Sequence, residues 1–308
     1  MTEYFIKRLI LAVPVLFGVS VAVFLMMHLI PGDPALAMLR GQPTVTPADI
    51  DRVRHQMGLD DPLPIQYLKY IGRVFQGDFG ESVKAHRPVL TMIQEQAWPT
   101  IQLALAAMVL AVAIGVTLGT ISALRQNTWV DTLSMVLALF GVSMPSFWLG
   151  LILIYVFSVR LEWLPITGQG GWKRLIMPAV ALGLDFSAVT ARLVRASLLE
   201  VLRQDYILAA RAKGLRGRTV VTRHALRNAL ISVVTIIGLQ FGFLLSGAVV
   251  IETVFARQGI GRLAITAILA KDFPLVQGIV LVSAVVYVAI NLLVDLSYSF
   301  LDPRIHYR

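Results

Sequence analysis

The most chemically pointed stretch of this chain is LAARAKGLRGRTVVTRHALRN, residues 208–228, which holds six Lys or Arg and no acid. Guanidinium and ammonium groups at that density pair with carboxylates or phosphates, so the stretch is built to grip a partner rather than to break bonds. It overlaps a helix-favouring run, DYILAARAK at 205–213, that opens on Asp205 and Tyr206 and is followed by Gly214, where the left-handed residue that ends a helix belongs. Ile207, Ala209 and Ala210 offer a small flat surface beside Arg211 and Lys213. Small alanines let a helix sit deep in a groove while flanking cations pair with acids at its rim.

A second set of polar side chains is embedded in apolar sequence. Asp185, in LGLDFSAVTAR, is an acid inside a hydrophobic run, and a titratable group in that setting is a functional candidate. Ser143 and Ser146 flank Pro145, whose ring removes a backbone hydrogen bond. Such a break persists in a membrane where hydroxyls, neighbouring protein or water satisfy the freed carbonyl. Gln240 and Ser246 lie in IIGLQFGFLLSG with Gly238, Gly242 and Gly247, where glycines permit close helix approach and the polar groups are costly to expose to lipid. Gln240 fits a pore lining and interhelical packing equally well. Ser143, Ser146, Asp185, Gln240 and Ser246 are the candidates for lining a path.

Bond-making chemistry is not indicated. There is no GxxxxGK[ST] loop to cradle phosphates, no HExxH or paired histidine spacing among His28, His55, His86, His224 and His306, no GxSxG elbow and no cysteine. No catalytic residue, metal ligand or cofactor is therefore expected in this chain. Nucleic acid is an unsuitable partner, because the basic arm lacks interleaved aromatics beyond Tyr206 and is closely joined to apolar runs on both sides.

The elements that position these groups follow from composition. With 57% hydrophobic and 15% charged residues and a mean hydropathy of +0.75, the chain cannot be covered by a water-facing surface, so lipid is its main solvent. Apolar runs of spanning length lie at 9–30, 98–124, 132–157, 176–196, 229–251 and 275–296. The first follows Lys7 and Arg8, and at 1.5 Å per residue it spans roughly 33 Å, too long for a signal-peptide core and close to a bilayer's hydrocarbon thickness. The predicted fold is an all-α integral membrane protein with six transmembrane helices. Loops on the side of both termini hold 14 Lys or Arg against 6 in the short opposite loops, which predicts cytoplasmic termini.

Residues 31–97 are predicted to form a small helical extracytoplasmic insertion between the first two spans. Thr46 caps a helix with Pro47 at its first position and Asp49 in its first turn, and a second helix at 64–75 places Ile65, Leu68, Ile71 and Phe75 on one face. The expected organisation is an amino terminus and first span at 1–30, the insertion at 31–97, and a five-helix core at 98–308 that includes the cytoplasmic loop 198–228.

At 205–214 the sequence resembles the EAA loop of the inner-membrane permease subunits of bacterial ABC importers for dipeptides, oligopeptides, glutathione and nickel. In that loop two alanines and, four residues later, a glycine mark the coupling helix. HLIPGDP at 28–34, MGLDDPLPIQY at 57–67, GDFGES at 77–82, VIETVFARQGIGR at 250–262 and the ending LDPRIHYR are similar to other hallmarks of the peptide-importer branch. Leu208 departs from the loop's glutamate, Arg227 and Asn228 from its Leu-Pro ending, and Gln258 from the commoner proline. The resemblance implies that Ala209, Ala210 and Gly214 contact one of two cytoplasmic ATPase subunits, which bring ATP and magnesium. It further implies a second homologous permease, an extracytoplasmic substrate-binding protein, and a place among the lipids of the bacterial inner membrane. The implied activity is import of small peptides by alternating access, with glutathione, nickel or another small solute as alternatives. A stand-alone secondary transporter is the rival of another class, and it calls for paired membrane carboxylates or an inverted repeat, neither of which is evident.

Overall fold

The computed structural model describes residues 2–29, 46–57, 59–166 and 171–301. Residues 30–34 of the HLIPGDP motif and 302–308 of the carboxyl-terminal motif lie outside them. Among the described residues the secondary structure is helical, apart from one isolated bridge between Glu81 and Pro88. In chain order the helices are α1 (Thr2–Leu29), α2 (Pro47–Met57), α3 (Leu63–Phe75), α4 (Val89–Leu124), α5 (Trp129–Ser143), α6 (Ser146–Leu153, continued as a π-helix over Ile154–Arg160), α7 (Lys173–Val201), α8 (Asp205–Ala212), α9 (Leu226–Val254), α10 (Ile260–Leu269) and α11 (Phe273–Leu301). A turn at Gly217–Thr219 and a π-helix at Val220–Ala225 lead into α9.

Five of these helices are long and apolar enough to cross a membrane, or six if the bent pair α5 and α6 counts as one span. The sequence predicts one continuous helix over 132–157 interrupted at Pro145. The two halves instead meet at 99°. Proline at the head of α6 has no N–H to give and forces Met144 into an extended conformation (φ −111°, ψ 129°), so the chain turns instead of kinking.

The chain divides into two compact units, one of Met1–Trp98 with Arg262–Ala289 and one of Pro99–Gly261 with Ile290–Arg308. In the second unit α7 packs against α5, α6 and α9. Its core centres on Leu103, Ala107, Met177, Leu182, Leu244, Ile251 and Phe255, all buried. Small residues set the helix separations. A Cβ on Gly183 would stand 2.5 Å from the Ala107 carbonyl oxygen, and one on Gly119 would stand 2.5 Å from that of Ala191, so α4 and α7 are in backbone contact.

In the first unit the amino-terminal insertion is ordered around carboxylates and tyrosines. Thr46 and Asp49 form a reciprocal cap on α2: the Asp49 N–H donates to Thr46 Oγ1 at 3.3 Å, and the Thr46 N–H donates to Asp49 Oδ2 at 3.1 Å. The Thr46 hydroxyl also donates to that carboxyl and holds it below the usual carboxylate range. The Asp272 carboxylate, 1% exposed, accepts from Ser82 Oγ at 2.5 Å, from the Val83 N–H at 3.2 Å and from the Leu275 N–H at 3.3 Å, tying the segment before α4 to the head of α11.

Helix α3 forms as expected, and of the residues placed on one face with Ile71, Ile65, Leu68 and Phe75 are exposed (44%, 68% and 86%); no residue of the helix is fully buried. It packs through Gln66, Tyr67 and Tyr70 on α1 instead. Where lipid is the solvent, an apolar stripe is as well satisfied facing outward as inward, so periodicity alone does not set its direction.

Candidate coupling surface and transmembrane path

Helix α8 is short and defined at both ends. Gln204 is extended and its carbonyl accepts the N–H groups of Ile207 (3.0 Å) and Leu208 (3.3 Å), while Asp205 places its charge at the positive end of the helix. At the other end the Leu215 N–H reaches the Ala210 carbonyl (3.4 Å) and the Gly214 N–H reaches that of Arg211 (2.9 Å). Gly214 has φ +77°. Those two bonds with a left-handed glycine are the Schellman arrangement, in which the chain reverses and satisfies its last carbonyls.

One face of α8 belongs to the chain itself. Ile207 (0% exposed) and Ala210 (8%) pack with Ala123, Leu198, Val220, Ala225 and Ala229. Burying an isoleucine side chain is worth about 1.5–3 kcal/mol, enough to seat an eight-residue helix that would not persist alone. Ala210 was expected in the partner contact and is turned inward, because it stands one turn from Ile207 on the same face. The other face exposes Asp205, Tyr206, Leu208, Ala209, Arg211 and Lys213, with Gly214 beyond. The Tyr206 hydroxyl accepts from Asn228 Nδ2 at 2.7 Å, which bridges α8 to the first turn of α9. An apolar pad of Tyr206, Leu208 and Ala209 is thus edged by cations.

A partly buried ion pair fixes the spans behind this surface. Arg195 on α7 donates from Nε (2.9 Å) and Nη2 (2.8 Å) to the two carboxylate oxygens of Asp131 at the start of α5. Ser122 Oγ on α4 and the Asn127 N–H (3.0 Å) complete the carboxylate's partners. A bidentate pair with every acceptor satisfied is the geometry that makes a buried charge tolerable. One carboxylate therefore joins three helices.

A second one joins α4 to the end of α9. Glu252 is fully buried and accepts from Thr100 Oγ1 at 2.5 Å, and Thr100 in turn accepts the Ile260 N–H at 2.9 Å. A Cβ on Gly259 would lie 2.1 Å from Glu252 Cδ, so any other residue there would have to displace that carboxylate. Arg257, 5% exposed, donates to Gln102 Oε1 at 3.3 Å. Burial lowers its guanidinium's affinity for its proton, an effect that Glu252's charge opposes.

The five predicted path residues fall in different settings, and no hydrogen bond joins any two of them. Gln240 is 5% exposed and accepts from Thr190 Oγ1 at 3.3 Å, so it bridges α9 to α7 between helices and does not line an open surface. Ser143 is exposed and donates back to the Leu139 carbonyl at 3.0 Å, Ser146 is half-buried, and Asp185 and Ser246 are exposed. Asp185 makes no ion pair among the described residues. Sequence reasoning missed Asp131, Glu252 and Asp272, since the first two fall at the edges of apolar runs and each has a decisive partner far off in sequence: Arg195, Thr100 and Ser82. The VIETVFARQGIGR segment carried a signal, an acid and a glycine seven residues apart, but its meaning needed Thr100.

Apolar helices of spanning length, with a short basic-edged helix packed at the ends of some of them, define a multi-pass membrane protein. The chain belongs to the binding-protein-dependent transport system inner membrane components: the model of that family matches residues 115–307, and the model of its amino-terminal region matches 1–113. It is 46% identical over all 308 residues, and over the whole of each relative, to the glutathione transport system permease protein GsiC of Escherichia coli and of Shigella dysenteriae. Among solved structures it is similar to the MetNI methionine ABC transporter in an inward-facing conformation (TM-score 0.60, 17% identity, covering 69% of this chain and 97% of that one). It is also similar to an amino acid ABC transporter (TM-score 0.55, 16% identity, 68% and 94%). These two likenesses establish the fold. The protein is the permease component of an ABC importer, a family that works with ATPase and substrate-binding partners.

Proposed function

We propose that this chain forms half of the path by which a bacterial importer takes glutathione or a similar small peptide across the inner membrane. The full-length 46% identity to glutathione permeases carries the substrate reading, and it stands ahead of nickel or other small solutes for that reason. A second homologous permease supplies the other half, and two ATPase subunits bind ATP and magnesium below. The termini and the 198–228 loop face the cytoplasm, as the excess of Lys and Arg on that side favours.

In this reading the exposed side of α8 (Asp205, Tyr206, Leu208, Ala209, Arg211 and Lys213) docks in a cleft of an ATPase subunit, and Gly214 shapes the turn beyond it. Closure of the two ATPase subunits draws the paired coupling helices together. Ile207 and Ala210, packed on Leu198, Val220 and Ala229, carry that displacement to α7 and α9. The backbone contacts of α4 with α7 and the Asp131–Arg195 pair favour motion of this group as one body, so the path opens alternately to each side. Ser143, Ser146, Asp185 and Ser246 are the polar side chains offered along it, with Gln240 holding two of its helices together.

The test is uptake of labelled glutathione, a dipeptide and nickel by cells with and without the gene, beside mass spectrometry of what accompanies the tagged chain from its native membrane in mild detergent. Gene-dependent glutathione uptake, with ATPase subunits and a second permease in the purified material, is the expected result. Uptake of nickel alone overturns the substrate, and a chain isolated by itself as a single uniform species overturns the assembly.

A further inference from the structure

Helix α3 stands beside α1, not above it. The Tyr67 ring lies 6.1 Å from that of Phe17 and 5.5 Å from that of Phe24, and the Tyr67 hydroxyl is 2.7 Å from Ser20 Oγ. Tyr70 stacks on Phe24 at 5.9 Å, and Gln66 Oε1 meets the His28 ring at 3.0 Å. The apolar span of α1 is Ile6–Leu29. At 1.5 Å per residue Phe17 and Ser20 lie roughly 18 and 14 Å along the helix from Leu29, inside the hydrocarbon layer. Side chains on a helix lean toward its amino terminus, which carries the Phe17 ring deeper still. A helix resting on the membrane surface could not bring a tyrosine ring to that depth.

The side of α3 turned away from α1 bears Ile65, Leu68, Gly72 and Phe75, which helical spacing places in one stripe, and Leu68 and Phe75 are among the most exposed apolar side chains of the molecule. Lys69 and Arg73 border it, both exposed, with Lys69 Nζ 2.5 Å from Asp61. We infer that α3 is inserted among the lipids at the Leu29 end of α1, its Ile65–Phe75 stripe against acyl chains and Lys69 and Arg73 at the level of the headgroup phosphates. Depth selects the occupant: a face level with residues 20–28 of a lipid-exposed span meets hydrocarbon, and cations at one border of an apolar stripe are the pattern of a helix lying in the interface. The insertion is then held in the bilayer by its own helix as well as by the two spans that flank it. The inference rests on α1 crossing the membrane and is independent of the substrate.

The chain contains no cysteine, so single sites can be labelled directly. Leu68→Cys, Phe75→Cys and, on the exposed face of α2, Arg52→Cys are each labelled with a nitrobenzoxadiazole fluorophore. The full chain is reconstituted into liposomes with the subunits that co-purify with it. Emission at 68 and at 75 is expected to fall about twofold with acyl-chain spin-labelled lipid and to resist aqueous iodide, with the reverse at 52. Each site is scored separately, so loss of one variant leaves the other decisive. Iodide quenching at 68 and 75 equal to that at 52 overturns the inference, as does shielding from both quenchers, which would place a protein partner on the stripe.

Discussion

Helices α8 and α3 are both short, both lie outside the spans, and face their surroundings in opposite ways. Eight-residue α8 buries Ile207 and Ala210 and exposes a small pad edged by Arg211 and Lys213, whereas thirteen-residue α3 buries nothing completely and exposes Leu68 and Phe75. Each makes one aromatic hydroxyl contact with a longer helix, Tyr206 with Asn228 and Tyr67 with Ser20. The difference lies in the outer face. Docking of α8 in a protein cleft and of α3 against lipid, as proposed, would account for it: the first calls for water-compatible charge around a small apolar centre, the second for an apolar stripe with its charges at the border. Exposure has to be read with the medium in mind.

The contrast is broken most severely by Ala210→Asp. It puts an unpaired carboxylate among Leu198, Ile207, Val220 and Ala225, at a cost of several kcal/mol, so the protein should fail to accumulate in the membrane, as read by quantitative immunoblot. Ala209→Asp, one residue away on the exposed face, should leave membrane levels unchanged yet weaken retention of the ATPase subunits about tenfold, equivalent to roughly 1.4 kcal/mol. Equal loss of protein in the two variants would erase the inside and outside of α8.

Gly214→Ala has open space around it but must adopt φ +77°, which costs an L-residue about 1–2 kcal/mol and should lower the thermal midpoint of the purified complex by a few degrees at most. Tyr67→Phe removes only the hydroxyl contact to Ser20, worth about 0.5–1.5 kcal/mol. Amides of α3 should exchange faster in that variant while those of α8 do not. Smallest is the effect of acid on α2. The Asp49 carboxyl is held below its unfolded value, so its contribution is fully present above that value and is lost as pH falls through the folded one. Exchange at amides 47–50, corrected for intrinsic rate, should be flat through neutral pH and rise only in strong acid.

Much of this architecture was legible in the residues. The spans declared themselves by length and hydropathy, Pro47 and Thr46 marked the head of α2, and Gly214 marked the end of α8, because each of those signals is local. What escaped depended on partners or on solvent. Pro145 announced a break but not its 99° angle, which is set by where α6 packs on α7 and α9. The stripe of α3 was visible as a stripe, but its direction was not. Ala209 and Ala210 are chemically identical, and only the neighbours of Ile207 separate the one that faces in from the one that faces out. Asp131 and Glu252 sit at the margins of hydrophobic runs, and the burial of these two and of Asp272 is made possible by Arg195, Thr100 and Ser82, which proximity in sequence does not indicate.

The carboxylate of Glu252 beneath Gly259 also limits how this protein can diverge. A side chain at 259 collides with the acid at 252 unless that acid moves, and shortening the acid withdraws the acceptor that the Thr100 hydroxyl uses. The two sites are coupled in one direction: a descendant with a side chain at 259 is expected to carry a shorter or repositioned residue at 252, whereas glycine at 259 places no such demand on its neighbour.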